Sequence, residues 1–162
     1  MLETDDYARK LFDDVVALYG IPNDVEEAVR IRLRRQQLIH DPVRRFEFII
    51  GEAALRFQLC PPAVMRAQLD LVRALSNLET VEVFILPSDA ELPFLPMHGF
   101  WIFDDELVSV ETVHTRVEAR EPSEVALYLR VFDQLKAAAC GQEAARALLT
   151  RVIEDWRRAE DS

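Results

Sequence analysis

The chain lacks several features that would assign it to a common class. No apolar run reaches the roughly 18 residues of a membrane-spanning helix, so we expect no transmembrane segment. The first residues, MLETDD, lack the basic and apolar regions of a secretory signal peptide, which favours a cytoplasmic protein. Only four glycines are present, and no glycine-rich phosphate-binding loop occurs. Many nucleotide-binding and secreted classes are therefore excluded.

Residues that bind metals or act as nucleophiles are also scarce. The three histidines and two cysteines have no metal-ligand spacing, and no serine or cysteine lies in a nucleophile signature. The sequence therefore predicts no metal site and no catalytic residue, and it indicates no cofactor. Cys60 and Cys140 are expected to be reduced, buried small residues.

The length of the chain predicts its domain number, and its net charge indicates which partners it can bind. Half of the 162 residues are hydrophobic, which predicts a single domain over 1–162 with a substantial core. The formal net charge of -10 argues against direct binding to nucleic acid, because such affinity comes mainly from arrayed lysines and arginines. We therefore expect no direct nucleic-acid partner and no DNA-binding residue.

Hydrophobic periodicity predicts an α+β fold. We expect a mostly antiparallel sheet of four to five strands covered by helices, with a helical hairpin at the carboxyl end. The predicted helices cover residues 3–19, 24–39, 62–75 and 121–139, with a short turn at 52–58 and a last helix around 145–156; the predicted strands cover 46–50, 81–86, 100–103, 107–113 and 115–119.

The second predicted helix carries arginines where a core would require apolar residues. Its apolar stripe at Val25 and Val29 continues at helical spacing onto Arg32 and Arg35. A buried guanidinium without a partner is costly, so we expect carboxylates from neighbouring elements, with Glu52 and Glu111 as the candidates. The candidate ligand-binding residues are Arg32, Arg35, Gln36, Glu52, Arg56, Glu111 and Trp101.

These residues allow more than one interpretation. The arginine forks are suited to a carboxylate or phosphate of a small polar effector, but a purely structural ion-pair network is the commoner arrangement. The run from Arg30 to Arg45 holds six arginines and one acid, and local neutralisation by the acidic first helix is favoured over a phosphate contact. Trp101 is either part of a ligand pocket or, more commonly, a core residue.

An ordered series of short motifs extends along nearly the whole chain. The series comprises Asp6-Tyr7-Ala8-Arg9, Arg32 to Gln36, Glu52-Ala53-Ala54-Leu55-Arg56, Val64-Met65 with Gln68-Leu69, Ile85-Leu86-Pro87 and Val110-Glu111. Their order and spacing resemble the C-terminal domain of unknown function of actinobacterial antitoxin-like transcriptional regulators, which carry an N-terminal helix-turn-helix domain. The resemblance implies a cytoplasmic regulatory domain whose usual neighbour binds DNA and which is often encoded beside a small partner protein.

No helix-turn-helix pattern precedes Met1, so we expect either an excised domain or a free-standing relative. The leading hypothesis is a non-enzymatic regulatory domain that senses a small polar effector or a small partner protein and acts on a helix-turn-helix module in cis or in trans. One alternative is a small enzyme that uses Glu52 and Glu111 as acid and base. The other is a homodimerisation module that pairs through the carboxyl-terminal hairpin, at Phe132, Leu135, Leu149, Val152 or Trp156.

Overall fold

A computed structural model describes residues 1–161 of the chain and confirms the α+β class. Within this part of the chain, no helix combines the length and the apolar composition needed to cross a bilayer. The elements are α1 (Asp5–Tyr19), α2 (Val25–Gln36), a 3₁₀ turn (Gln37–His40), β1 (Phe46–Gly51), α3 (Glu52–Arg56), α4 (Pro62–Leu75), β2 (Val81–Leu86), β3 (Trp101–Phe103), β4 (Leu107–Glu111), β5 (Arg116–Ala119), α5 (Pro122–Ala138) and α6 (Gln142–Glu160).

The helix ends follow local signals in the sequence. Helix α1 begins two residues later than predicted because Thr4 caps it, accepting a hydrogen bond from the backbone N–H of Tyr7 at 3.4 Å. It ends at Gly20, whose φ of 62° lies in the left-handed region that glycine tolerates best. The predicted helix over 24–39 is shorter, since α2 ends at Gln36 and continues as the 3₁₀ turn.

The strands form two small sheets, so the prediction of one mostly antiparallel sheet is wrong. Strands β1 and β2 pair in parallel, with Phe46 opposite Val81 and Gly51 opposite Leu86. Strands β3, β4 and β5 form a separate antiparallel sheet in that order. The parallel pairing has a simple cause: α3 and α4 lie between β1 and β2, and such a crossover returns the chain to the same end of the sheet.

The carboxyl-terminal helices do not form the predicted hairpin. Helix α6 packs against α4 and β2, whereas α5 packs on β2, β3 and β4. Between them, Cys140 exchanges backbone hydrogen bonds with Ile85 at 2.8 and 2.9 Å, which fixes the link to the second edge of β2. The chain is thereby directed toward α4. Four of the side chains assigned to a dimer surface, Leu135, Leu149, Val152 and Trp156, are instead buried within the chain itself.

The main core lies between α4, α6 and the parallel strands. It contains Met65, Leu69 and Val72 of α4, and Leu149 and Val152 of α6, as the helical spacing predicted. The α1–α2 pair has a smaller cluster of its own, and a third cluster joins α5 to the antiparallel sheet. Cys60 is buried and Cys140 is half-buried, and both are free thiols.

Gln68 connects the amino-terminal segment to the main core. Its buried side chain accepts a hydrogen bond from the backbone N–H of Thr4 at 2.7 Å and donates one to the carbonyl oxygen of Leu2. The side chains of Met1 and Leu2 are buried beside it in the core. The N–H of Thr4 and the carbonyl of Leu2 both have the Gln68 amide as a hydrogen-bond partner, and a buried polar group without a partner is costly.

We predict that Gln68→Ala lowers the free energy of unfolding by about 1–3 kcal/mol, since it leaves one buried and one partly buried backbone group without the partner that the side chain supplies. Urea unfolding followed by circular dichroism measures the change. The control is Gln134→Ala on the exposed side of α5, which should shift stability by less than about 0.5 kcal/mol. Equal effects of the two substitutions would contradict the role given to Gln68.

Candidate ligand-binding cleft

A charged cleft of about 770 Å³ opens where the two parallel strands end. Glu52 follows β1 directly, and Ser88 lies two residues beyond the end of β2. Because the strands run in parallel and in register, both residues lie at the same edge of the sheet. Helix α6 forms the opposite wall. The cleft is lined by Glu52, Arg56, Pro87, Ser88, Asp89, Cys140, Ala144, Ala147, Leu148, Arg151, Glu154, Asp155 and Arg158.

Glu52 is held from two sides. Its Oε2 accepts a hydrogen bond from the backbone N–H of Ser88 at 3.1 Å, and its Oε1 accepts one from Nε of Arg56 at 2.9 Å. These two contacts, with the Ser88 N–H first, lower the pKa of Glu52. The carboxylate therefore joins the two strand ends across the floor of the cleft.

Arg56 extends the cluster to α6. Its second donor reaches Oδ2 of Asp155 at 2.8 Å, and Arg158 donates to the other oxygen of the same carboxylate. The hydrogen bond from Arg56 is the main cause of the lowered pKa of Asp155. The position of α3 is also fixed by Trp156, whose indole N–H donates to the carbonyl oxygen of Leu55 at 3.0 Å.

The ion-pair cluster of Glu52, Arg56, Asp155 and Arg158 fixes the relative positions of α3 and α6 and contributes little to the free energy of unfolding. The side chains of Arg56 and Asp155 are 43 % and 40 % exposed, and ion pairs at that exposure contribute about 0–1 kcal/mol each. Three other charged groups line the cleft with no ion pair among residues 1–161, namely Arg151, Asp89 and Glu154. The cleft thus presents a rigid paired centre beside unpaired charges of both signs.

The predicted site residues divide among three places. Glu52 and Arg56 lie together in the cleft, whereas the other candidates lie elsewhere. Glu111 is exposed at the end of β4; the arginine opposite it, Arg116, pairs instead with Glu118 at 3.0 Å. The proposed acid and base, Glu52 and Glu111, are therefore not brought together in this cleft.

Glu52 and Glu111 are not the partners of the α2 arginines, which corrects the prediction. The partner of Arg32 is Glu3, with its carboxylate oxygens 2.8 and 3.0 Å from the guanidinium. Gln36 lies beside it and accepts a hydrogen bond from the backbone N–H of Glu3 at 2.8 Å. Burial of Met1 and Leu2 in the core brings Glu3 to this position.

Arg35 does not point into a polar interior. Its side chain is exposed, and its guanidinium lies over the rings of Trp101 and Phe103, 5.7 and 5.9 Å from their centroids. Trp101 packs against the main core, which agrees with the commoner interpretation of this aromatic residue. The stripe at Val25, Val29 and Arg32 does face inward, but Arg35 lies at its border.

Sequence reasoning missed Ser88, Arg151 and Asp155. A signal for Ser88 existed, because parallel pairing of β1 and β2 would have placed the residues after both strands at one edge, whereas Arg151 and Asp155 lie on α6 and had no such signal. The expected antiparallel sheet placed those ends apart.

In the described part of the chain, no group of three or more histidine, cysteine, aspartate or glutamate side chains is arranged to hold a metal ion.

The fold and the cleft define a small α+β domain with a ligand-sized, charged depression at the ends of a parallel strand pair. Residues 1–151 match the model of a family described as a domain of unknown function (DUF5753), and the chain belongs to this family. Searches of curated proteins and of solved structures found no match.

We predict that Glu52→Gln reduces the loss of stability in acid. The lowered pKa of Glu52 means that its stabilising effect is present above the ordinary value of 4.5 and is lost as the pH falls through the folded-state pKa. Urea unfolding measured between about pH 6 and 3 should show a smaller decline for the variant than for the wild type.

The control for this measurement is Glu154→Gln, which changes a carboxylate in the same cleft that has no ion pair among residues 1–161. Its pH profile should follow that of the wild type. A Glu52→Gln profile that also follows the wild type would show that the contacts with Ser88 and Arg56 do not hold the carboxylate.

Proposed function

We propose that the chain is the sensing domain of a transcriptional regulator, and that a small polar effector binds in the charged cleft. The regulatory part of this proposal rests on the resemblance to antitoxin-like regulators, in which a helix-turn-helix module is the usual neighbour. The family to which the chain belongs agrees with that resemblance at the level of the domain. DNA binding is assigned to the neighbouring module, in cis or in trans, and not to this chain.

The observation that carries the effector proposal is the state of Arg151. Its guanidinium lines the cleft and makes neither a hydrogen bond nor an ion pair within residues 1–161. The neighbouring Arg56 is already held between Glu52 and Asp155. An arginine fork in a cleft favours a carboxylate or a phosphate, which it receives through two parallel hydrogen bonds.

The unpaired carboxylates of Asp89 and Glu154 supply the complementary contact. Glu154 lies three residues after Arg151 on α6, where opposite charges commonly pair, yet the two form no ion pair. An effector with an anionic group for Arg151 and an amino group for Glu154 satisfies both charges. The volume of about 770 Å³ is within the range of about 300–1,000 Å³ that small-molecule sites occupy.

We predict that Arg151→Gln weakens binding of a small anion by about tenfold or more, the effect of losing one charge-assisted contact. The probes are glutamate, citrate and inorganic phosphate, titrated at millimolar concentration into ¹⁵N-labelled protein. At least one of them should shift the amide signal of Ser88 and the side-chain signal of Arg151. The matched control is Arg157→Gln, an exposed arginine of α6 outside the lining of the cleft.

Two results would contradict the effector site: no signal of the cleft responds to any of the probes, or Arg151→Gln and Arg157→Gln bind equally. The regulatory part has its own measurement, in which the native protein is co-purified with its bound proteins. Recovery of a helix-turn-helix protein whose retardation of its operator changes with effector supports the proposal, and retardation insensitive to effector contradicts it.

A further inference from the structure

Helix α2 presents a second surface that the cleft does not include. Arg34 and Arg35 lie three and four residues after Ile31, so the three share the side of α2 that faces away from Val29; Leu38 follows in the 3₁₀ turn, seven residues after Ile31. Ile31 is 55 % exposed and Leu38 is 41 % exposed. We call these four residues, together with Phe103 of β3, the α2 outer surface.

Neither arginine of this surface forms an ion pair among residues 1–161, in contrast to three other arginines of the basic run. Arg30 pairs with Glu27, Arg32 with Glu3 and Arg44 with Asp41. The side chains of Arg34 and Arg35 make neither a hydrogen bond nor an ion pair in the described residues 1–161. Local neutralisation therefore accounts for only part of the basic run, although the chain as a whole carries a net charge of -10.

Arg35 is also held in an orientation that suits recognition. Its guanidinium lies over the rings of Trp101 and Phe103, at 5.7 and 5.9 Å from the centroids. Such contacts use the π-face of the group, whereas its N–H donors lie in its plane. The donors remain available for a carboxylate, and the rings restrict the motion that binding would otherwise have to stop.

We propose that the α2 outer surface binds an acidic, amphipathic segment of a partner protein. Arg35 receives a carboxylate through two hydrogen bonds and Arg34 receives a second. Apolar side chains of the segment contact Ile31, Leu38 and Phe103. The charge of the surface supports this occupant, because unpaired cations on an acidic chain give an acidic partner a favourable point of approach.

The apolar residues favour a protein over a nucleic acid. Ile31 and Leu38 lie beside the two arginines, and a phosphate backbone offers such side chains no apolar contact. The net charge of -10 also repels a polyanion over most of the molecule. A short segment with both carboxylates and aliphatic side chains satisfies the whole surface.

The test uses two synthetic helical peptides that differ only in charge. One carries leucines on one face with flanking glutamates, and the other has glutamine in place of each glutamate. The full chain should bind the glutamate peptide and shift amide signals within α2 and the 3₁₀ turn. Binding of the glutamine peptide should be weaker by about tenfold or more.

Variants assign the effect to the proposed residues. Arg35→Gln and Arg34→Gln should each weaken binding of the glutamate peptide by about tenfold, and Arg35→Lys should weaken it less because it keeps the charge but loses the fork. The side chain of Arg34 makes no hydrogen bond or ion pair within residues 1–161, so its substitution tests the surface without removing such a contact from the fold. Arg157→Gln on α6 is the control and should bind as the wild type does.

Three results would overturn the proposal. If the chain binds the two peptides equally, or binds neither of them, the carboxylates have no role in recognition. Sedimentation that shows a dimer lost in Arg35→Gln assigns the surface to a second copy of the chain. Steeply salt-dependent retardation of duplex DNA, abolished in Arg34→Gln, assigns it to nucleic acid.

Discussion

The parallel pairing of β1 with β2 is the constraint on which the candidate cleft depends. Gly51 lies opposite Leu86, so the residues that follow both strands emerge at one edge of the sheet. Glu52 and Ser88 can then meet directly, through the hydrogen bond between the carboxylate and the backbone N–H. The crossover through α3 and α4 imposes this direction, and α6 closes the other side because Cys140 ties its start to β2.

Local elements were predictable from the sequence, whereas their assembly was not. The spacing of Met65, Leu69 and Val72 identified both α4 and its buried face, because a helix has one period whatever it packs against. The sequence pattern of a strand does not show in which direction its neighbour runs. The alternation of side chains in β1 is compatible with a parallel and with an antiparallel neighbour. The expected antiparallel sheet failed for this reason, whereas the expected helical hairpin failed because the backbone of Cys140 binds that of Ile85 in β2.

The candidate site was predictable in part. Glu52 and Arg56 are four residues apart on one helix, so their pairing follows from local geometry. The partner of Arg32 could not be read in the same way, because Glu3 reaches it only after Met1 and Leu2 are buried and Gln68 binds the backbone between them and α1. Long-range contacts of this kind depend on the assembled core.

Arginine serves two different purposes in this molecule. In the cleft, Arg56 is committed to Glu52 and Asp155 and positions the elements around it. On α2, the guanidinium of Arg35 lies over two aromatic rings, and its donors form no hydrogen bond within residues 1–161. No residue belongs to both places, so a ligand in the cleft and a segment on α2 would not compete for the same side chains.

The two tryptophans of the chain lie at these two places. Trp101 lies under the guanidinium of Arg35, while Trp156 donates its indole N–H to Leu55, the residue before Arg56. Trp156 is buried and Trp101 is half-buried, so their emission maxima differ through the polarity around each ring. Intrinsic fluorescence therefore contains one reporter beside the cleft and one beside the α2 outer surface, and replacing either indole by phenylalanine separates their signals without an added dye.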